Sequence, residues 1–287
     1  MTVTLDESVY TAHDRAWRDC RYLYPVLSRR SRGLSLGVDL TPDGRCNFGC
    51  VYCQIDRTKP ARPAAVDLSQ LAEELARIVP LCASGELFQS PPLDRTPGGL
   101  RRFNDVALSG SGEPTASPHF PAACAIIADA LRDLPAVKIV IITNATRLDQ
   151  PYVYRGLQAL ARRPHEVWAK LDAGTQQWYD AVCRSPIPLQ RVIDNLMWIG
   201  RERPLVIQSM FFTLNDQPPP QAEVDAYVRR IEELRAGGCQ LDRVQAYTVA
   251  RRPAESSVGP VSHEWLEDVA DRVRRAGVPA EVFGAAG

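Results

Sequence analysis

Three cysteines fall within eight residues in Arg45-Cys46-Asn47-Phe48-Gly49-Cys50-Val51-Tyr52-Cys53, a CxxxCxxC pattern. Thiolates this close in the chain can converge on one soft metal centre. The other cysteines, Cys20, Cys82, Cys124, Cys183 and Cys239, are scattered. The first residues, Met1 to Asp14, hold Asp6, Glu7 and Asp14 and no apolar stretch, so they do not read as a secretory leader. A cytosolic chain is therefore expected, and in that compartment the cysteines are not a disulfide framework. Zinc is one occupant to weigh. A closed zinc site takes four ligands, generally from paired knuckles, and here there is one trio, with Cys20 the only upstream cysteine. An iron–sulfur cubane is the other. Held by three cysteines, it leaves one iron open to a chelating small molecule, which suits catalysis. Gly49 is expected to let the loop turn tightly. Phe48 and Tyr52 are expected to shield the centre.

Such a loop needs a scaffold. The chain has 287 residues, 45% apolar and 24% charged, the profile of a folded domain with a substantial core. Basic and acidic residues balance at 34 each, so no global field steers it towards nucleic acid or an anionic membrane. No apolar run is long enough to span a membrane. Only Lys59, Lys138 and Lys170 are lysines, which makes any lysine in a cleft conspicuous. Strand patterns fall over 34–40, 105–108, 137–143, 166–171, 205–212 and 244–249, with a short last one over 280–283. Helical patterns fall over 67–78, 118–134, 151–160, 175–182, 188–199, 221–236 and 262–276. This alternation predicts parallel βαβ units and an α/β fold, a single-domain partial (β/α)6 barrel with ligands at the C-terminal strand ends. Residues 1–33 are expected to form an N-terminal helical extension and 34–287 the barrel. Residues 81–103 read as an irregular insertion, because Pro91, Pro92, Pro97, Gly98 and Gly99 oppose a long helix.

With Tyr52 before the last cysteine, the trio resembles the hallmark of the radical S-adenosylmethionine (SAM) superfamily. Further segments recur in order in its wyosine-synthase-like branch. They are Ser109-Gly110-Ser111-Gly112-Glu113-Pro114-Thr115, Ile142-Thr143-Asn144, Lys170-Leu171-Asp172-Ala173-Gly174, Ile207-Gln208-Ser209-Met210-Phe211 and the stretch from Tyr247 to Glu255. The resemblance implies a [4Fe-4S] cluster on Cys46, Cys50 and Cys53. It implies SAM chelating the open iron and giving, after one-electron reduction, methionine and a 5′-deoxyadenosyl radical.

On that resemblance, Ser111, Gly112 and Glu113 hold the methionine amino group of SAM; a plain strand-to-helix turn with a solvated Glu113 is the alternative. Thr143 and Asn144 meet the ribose, unless they cap the following helix. Lys170 and Asp172 lie two apart on a strand and so share a face. Inside a barrel they would need pairing or a ligand. Lys170 is read as meeting the SAM carboxylate, or as a Schiff-base amine for a carbonyl substrate. Asp172 is read as meeting ribose or substrate. Gln208 and Met210 are further candidate SAM contacts, Met210 otherwise being core. Tyr247, Arg251, Arg252 and Glu255 would cap the mouth, the arginines suiting an anionic substrate group. His13, His119, His165 and His263 match no ligand spacing.

Wyosine synthases carry extra N-terminal cysteines and basic elements for tRNA, and this chain departs from both. The favoured expectation is a radical SAM enzyme for a small molecule or short peptide, served by an electron donor such as flavodoxin or ferredoxin. A tRNA-modifying enzyme and a non-catalytic metal-binding module are the alternatives.

Overall fold

The computed structural model describes residues 17–55, 65–251, 253 and 255–284. The chain divides into two compact units. The first comprises Met1–Asp43, Arg62–Ile141 and Pro151–His165, and the second Gly44–Ala61, Ile142–Gln150 and Glu166–Gly287. Sequence reading expected one domain. Nothing in the composition marks a boundary, because each unit is assembled from separated stretches with no linker between them.

In the first unit, β1 (Leu23–Ser28) and β2 (Gly33–Val38) form an antiparallel hairpin. It is followed by α1 (Leu68–Ser84), β3 (Phe103–Leu108), α2 (Phe120–Ala130), most of β4 (Lys138–Thr143), whose last two residues belong to the second unit, and α3 (Pro151–Ala159). The strand order is β1-β2-β3-β4, with β2, β3 and β4 parallel. The strand β1 corrects the expected helical extension; residues 1–16 of that segment lie outside the described residues. It forms by antiparallel pairing with β2, and α1 supplies a carboxylate to the residues that lead into it. Glu74, only 4% exposed, accepts from the backbone N–H groups of Arg21 (2.8 Å) and Tyr22 (3.0 Å). Opposite Tyr24 stands Gly37, where a Cβ would lie 2.2 Å from the Tyr24 ring. Asp67 starts α1 by accepting from Ser69 and Gln70 N–H, while Leu71, Leu75 and Ile78 bury its inner face. The helix runs past the expected end at 78, through Pro80, to a left-handed Gly85. Beyond it the insertion folds as three short 3₁₀ turns, anchored by buried Leu87, Phe88 and Leu93.

The second unit contains most of β5 (His165–Lys170), then α4 (Gln176–Cys183), α5 (Leu189–Gly200) and β6 (Leu205–Met210). Next come β7 (Phe212–Leu214), α6 (Gln221–Ala236), β8 (Leu241–Tyr247), β9 (Val258–Pro260), α7 (His263–Arg275) and β10 (Ala280–Phe283). Strands β5, β6, β8 and β10 follow one another in parallel, and β7 pairs with β9 in a separate antiparallel ribbon. The expected strand over 205–212 therefore ends at Met210, and the chain turns into that ribbon. Within each unit the parallel strands neighbour each other in chain order, without the reversal of a doubly wound sheet. That is the winding of barrel-type α/β folds, and the expected fold class holds. Among the described residues no helix is long and apolar enough to cross a membrane.

After β5, Gly174 meets α6 closely, with Glu223 accepting from Gly174 N–H (2.5 Å) and from Thr175 N–H (3.1 Å) and hydroxyl (2.5 Å). A Cβ on Gly174 would stand 2.1 Å from Tyr227 N, and backbone cannot yield as a flexible side chain can. Gly174→Ala is expected to cost about 1–3 kcal/mol, read as a lowered Tm against wild type.

Candidate metal centre and cofactor site

The cysteine loop is held on both flanks within the second unit. On one side Asn47 donates from Nδ2 to the Thr146 hydroxyl (2.7 Å) and accepts from Asn144 Nδ2 (2.7 Å). On the other side the N–H groups of Gly49 and Val51 donate to the carbonyls of Cys183 (2.9 Å) and Val182 (3.0 Å), the end of α4. Phe48 packs edge-on against Tyr179, centroids 5.6 Å apart, and Tyr52 lies 5.4 Å from the Phe212 ring. Both aromatic residues are buried. The tight turn is made elsewhere than expected. Gly44 has φ 74°, whereas Gly49 is not left-handed and a Cβ there would meet Arg184 Cβ at 3.4 Å.

Exposure separates the cysteines by task. Cys46, Cys50 and Cys53 are half-buried, while Cys20, Cys82, Cys124, Cys183 and Cys239 are buried. Burial pushes the Cys82 thiol up to about 12 and that of Cys239 to about 11, the state of inert core thiols. Cys50 moves the other way. A hydrogen bond from the Cys183 thiol lowers its pKa against the effect of burial, and the same bond raises that of Cys183. Three half-buried thiols on one loop, one with its pKa lowered, fit the donor set of a cluster. Among the described residues no three His, Cys, Asp or Glu side chains gather as a single metal ion requires.

Beside the loop lies a buried polar group. Asp172, with a side chain 1% exposed, accepts from the Tyr52 hydroxyl (2.5 Å), from Met210 N–H (2.8 Å) and from Lys170 Nζ (3.2 Å to Oδ2). Lys170 also donates to the Tyr247 hydroxyl at 2.7 Å and stands 5.1 Å from the Tyr52 ring centroid. Burial opposes the Lys170 charge, but Asp172, with Tyr247, outweighs it and raises the pKa above the ordinary lysine value. Tyr52 is raised by burial and by Asp172, so it stays a neutral donor. Lys170 and Asp172 are thus paired, although β5 ends at Lys170 and Asp172 lies in the stretch that follows the strand rather than on it. Lys170, Gln208 and Gln245 share one register across β5, β6 and β8. Gln208 Nε2 donates to Gln245 Oε1 at 2.9 Å, leaving Gln208 Oε1 and Gln245 Nε2 without partners among the described residues. Met210 contributes its backbone to Asp172 rather than plain core.

In the first unit, the turn after β3 is not the solvated alternative. Glu113 is 3% exposed and accepts from Thr115 N–H (3.0 Å) and hydroxyl (2.5 Å). Ser111 donates to Asp39. At the end of β4, the Thr143 hydroxyl accepts from Ala145 N–H (3.0 Å), and Asn144 Oδ1 accepts from the Thr146 hydroxyl (2.7 Å), alongside its Asn47 bond. Arg251 is half-buried; Arg252 lies outside the described residues. Glu255 accepts both guanidinium arms of Arg184 (2.5 and 3.0 Å). Sequence reasoning missed Asn47, Cys183, Gln245 and Asp39. Only Asn47, inside the cysteine motif, carried a local signal.

A family model of the Radical SAM superfamily matches residues 41–223, and the chain belongs to that superfamily. Its members use a [4Fe-4S] cluster and SAM. A UPF0026 protein of Helicobacter pylori is 31% identical over 136 residues, covering 47% of this chain and 38% of that protein. A protein of Brachyspira hyodysenteriae named GTPase Obg is 22% identical over 252 residues, 86% of this chain and 32% of its own length. The UPF0026 protein slr1464 of Synechocystis is 26% identical over 230 residues, covering 76% and 73% of the two chains. The chain thus spans about a third of the length of the first two relatives. A solved structure of TYW1 with a lysine–pyruvate adduct bound matches with a TM-score of 0.55 and 16% identity, over 88% of this chain and 84% of that one. It shares the fold.

Proposed function

We propose that this chain reductively cleaves SAM and abstracts hydrogen from a small-molecule or short-peptide substrate. Cys46, Cys50 and Cys53 would hold the [4Fe-4S] cluster. Once bound, the cluster and SAM supply the one-electron reduction and the hydrogen-abstracting 5′-deoxyadenosyl radical. The observation that carries this reading is the contrast in exposure between the three loop cysteines and the five buried ones.

The chain's own residues bind, orient and keep water out. Phe48 and Tyr52 cover the cysteine loop. Lys170, held as an ammonium, binds an anion such as the carboxylate of SAM or of the substrate, and Asp172 fixes it and the Tyr52 hydroxyl. Tyr247 orients Lys170, and Arg251 and Arg252 take an anionic substrate group. Ser111, Gly112 and Glu113 serve the methionine amino group and Thr143 and Asn144 the ribose. Gln208 offers its unused oxygen, and Met210 lies beside Asp172. The electron comes from a flavodoxin- or ferredoxin-type donor.

The adduct in TYW1 supports a second reading, in which Lys170 forms an imine with a pyruvate-like carbonyl. An ammonium must first lose its proton to do this, so the raised Lys170 pKa favours anion binding. Reconstituted protein reduced with dithionite in the presence of SAM is expected to release 5′-deoxyadenosine; a full cluster with no release overturns the proposal. Pyruvate with borohydride is expected to leave the Lys170 peptide mass unchanged, and a reductively alkylated Lys170 instead selects the imine. A tRNA complex that weakens steeply with salt would place the substrate on nucleic acid.

A further inference from the structure

Asp39 follows β2 and is a buried carboxylate, 5% exposed. Four donors converge on it. Oδ1 accepts from Thr41 N–H (2.8 Å) and hydroxyl (3.1 Å), and Oδ2 from Ser111 N–H (3.0 Å) and hydroxyl (2.6 Å). Ser109 is tied to the same strand end, its N–H donating to the Val38 carbonyl (3.1 Å) and its hydroxyl lying 2.8 Å from that of Tyr24. Between them Gly110 adopts φ 139°, and a Cβ there would lie 2.4 Å from the Asp39 carboxyl carbon. Only glycine permits that backbone, and only then can the carboxylate reach the next N–H.

We propose that Asp39 is a positioning residue for SAM. It shapes the Gly110–Gly112 turn by binding Ser111 from behind, leaving the following backbone and Glu113 to receive the methionine end of SAM. A carboxylate is needed, because each of its two oxygens accepts a backbone N–H. An amide would turn its NH₂ against one of them. This rests on the reading of the Ser111–Glu113 turn as a SAM contact.

The test is equilibrium SAM binding to the anaerobically reconstituted protein, with iron content and Tm measured on the same samples. Asp39→Asn and the milder Ser111→Ala are each expected to weaken SAM binding about tenfold, the scale of one charge-assisted hydrogen bond. Iron content should stay at the wild-type level. Unchanged SAM affinity in Ser111→Ala overturns the proposal, as does iron loss in Asp39→Asn with normal SAM affinity in the clusters that remain. Glu113→Gln separates the two levels. If it too leaves SAM affinity unchanged, the turn is not a SAM contact and the underlying reading has failed. If Glu113→Gln weakens binding while both other variants do not, only the role of Asp39 has failed.

Discussion

Cys50→Ala is expected to abolish cluster assembly and 5′-deoxyadenosine formation together. Cys50 is the central cysteine of the loop, half-buried and held as the acceptor of the Cys183 thiol hydrogen bond. Removing its sulfur leaves two loop thiols, and Cys183 is too deeply buried to stand in without displacing the end of α4. The fold should survive, because Gly49 and Val51 dock on α4 through backbone N–H groups that the substitution keeps. Iron per chain should fall to background while the Tm of the metal-free protein shifts little. Cys82→Ala is the control, since Cys82 is a core thiol; it should retain iron. A Cys50→Ala protein that still released 5′-deoxyadenosine would falsify the ligand assignment.

Asp172→Ala is the second large effect. It removes the acceptor of the Tyr52 hydroxyl and of Met210 N–H, and strands Lys170 in a site where its side chain is only 17% exposed. Leaving one partner of such a pair uncompensated costs about 3–5 kcal/mol, with Tm lower by on the order of 10 °C. The pH dependence follows from the sign of each shift. In the wild type the Lys170 pKa is raised, so its contribution is present below the ordinary lysine value of roughly 10.4 and is lost only as pH rises above that. With Asp172 gone, burial opposes the charge with one attractive partner fewer, so the folded-state pKa falls below that of the wild type. Above the variant's own pKa its folded state binds fewer protons than the wild type's, and the stability difference between the two shrinks. The deficit should narrow as pH rises. Lys170→Met combined with Asp172→Leu should recover most of the lost stability. A deficit that widened with pH would refute the charged state assigned to Lys170.

The βαβ pattern was legible because β4 and β6 are long apolar β-branched runs and α6 and α7 show clear helical spacing. β1 was not legible. Leu23 to Ser28 has no strand signal strong enough to outweigh a helix; what makes it a strand is its pairing with β2, with Glu74, some 50 residues away, satisfying the N–H groups that lead into it. Lys170 and Asp172 were readable because two residues so near in the chain stay close in space, even though the strand ends at Lys170. Gln245 was not, since its partnership with Gln208 depends on which strand lies beside β6.

By itself the amino-acid sequence determined the cysteine spacing, the superfamily and the parallel α/β winding. Each is written in short-range spacing: thiols three and four apart, alternation along a strand, and glycine where a turn demands it. Tertiary structure decided what surrounds those groups. It chose which thiols stay reachable and which are entombed. It set Cys183 against Cys50 and Asp39 behind Ser111, and it put Tyr247 on Lys170. Those choices depend on contacts between residues far apart in the chain. Burial and pairing energies at such contacts follow from the neighbours that folding supplies, and a linear pattern does not specify them.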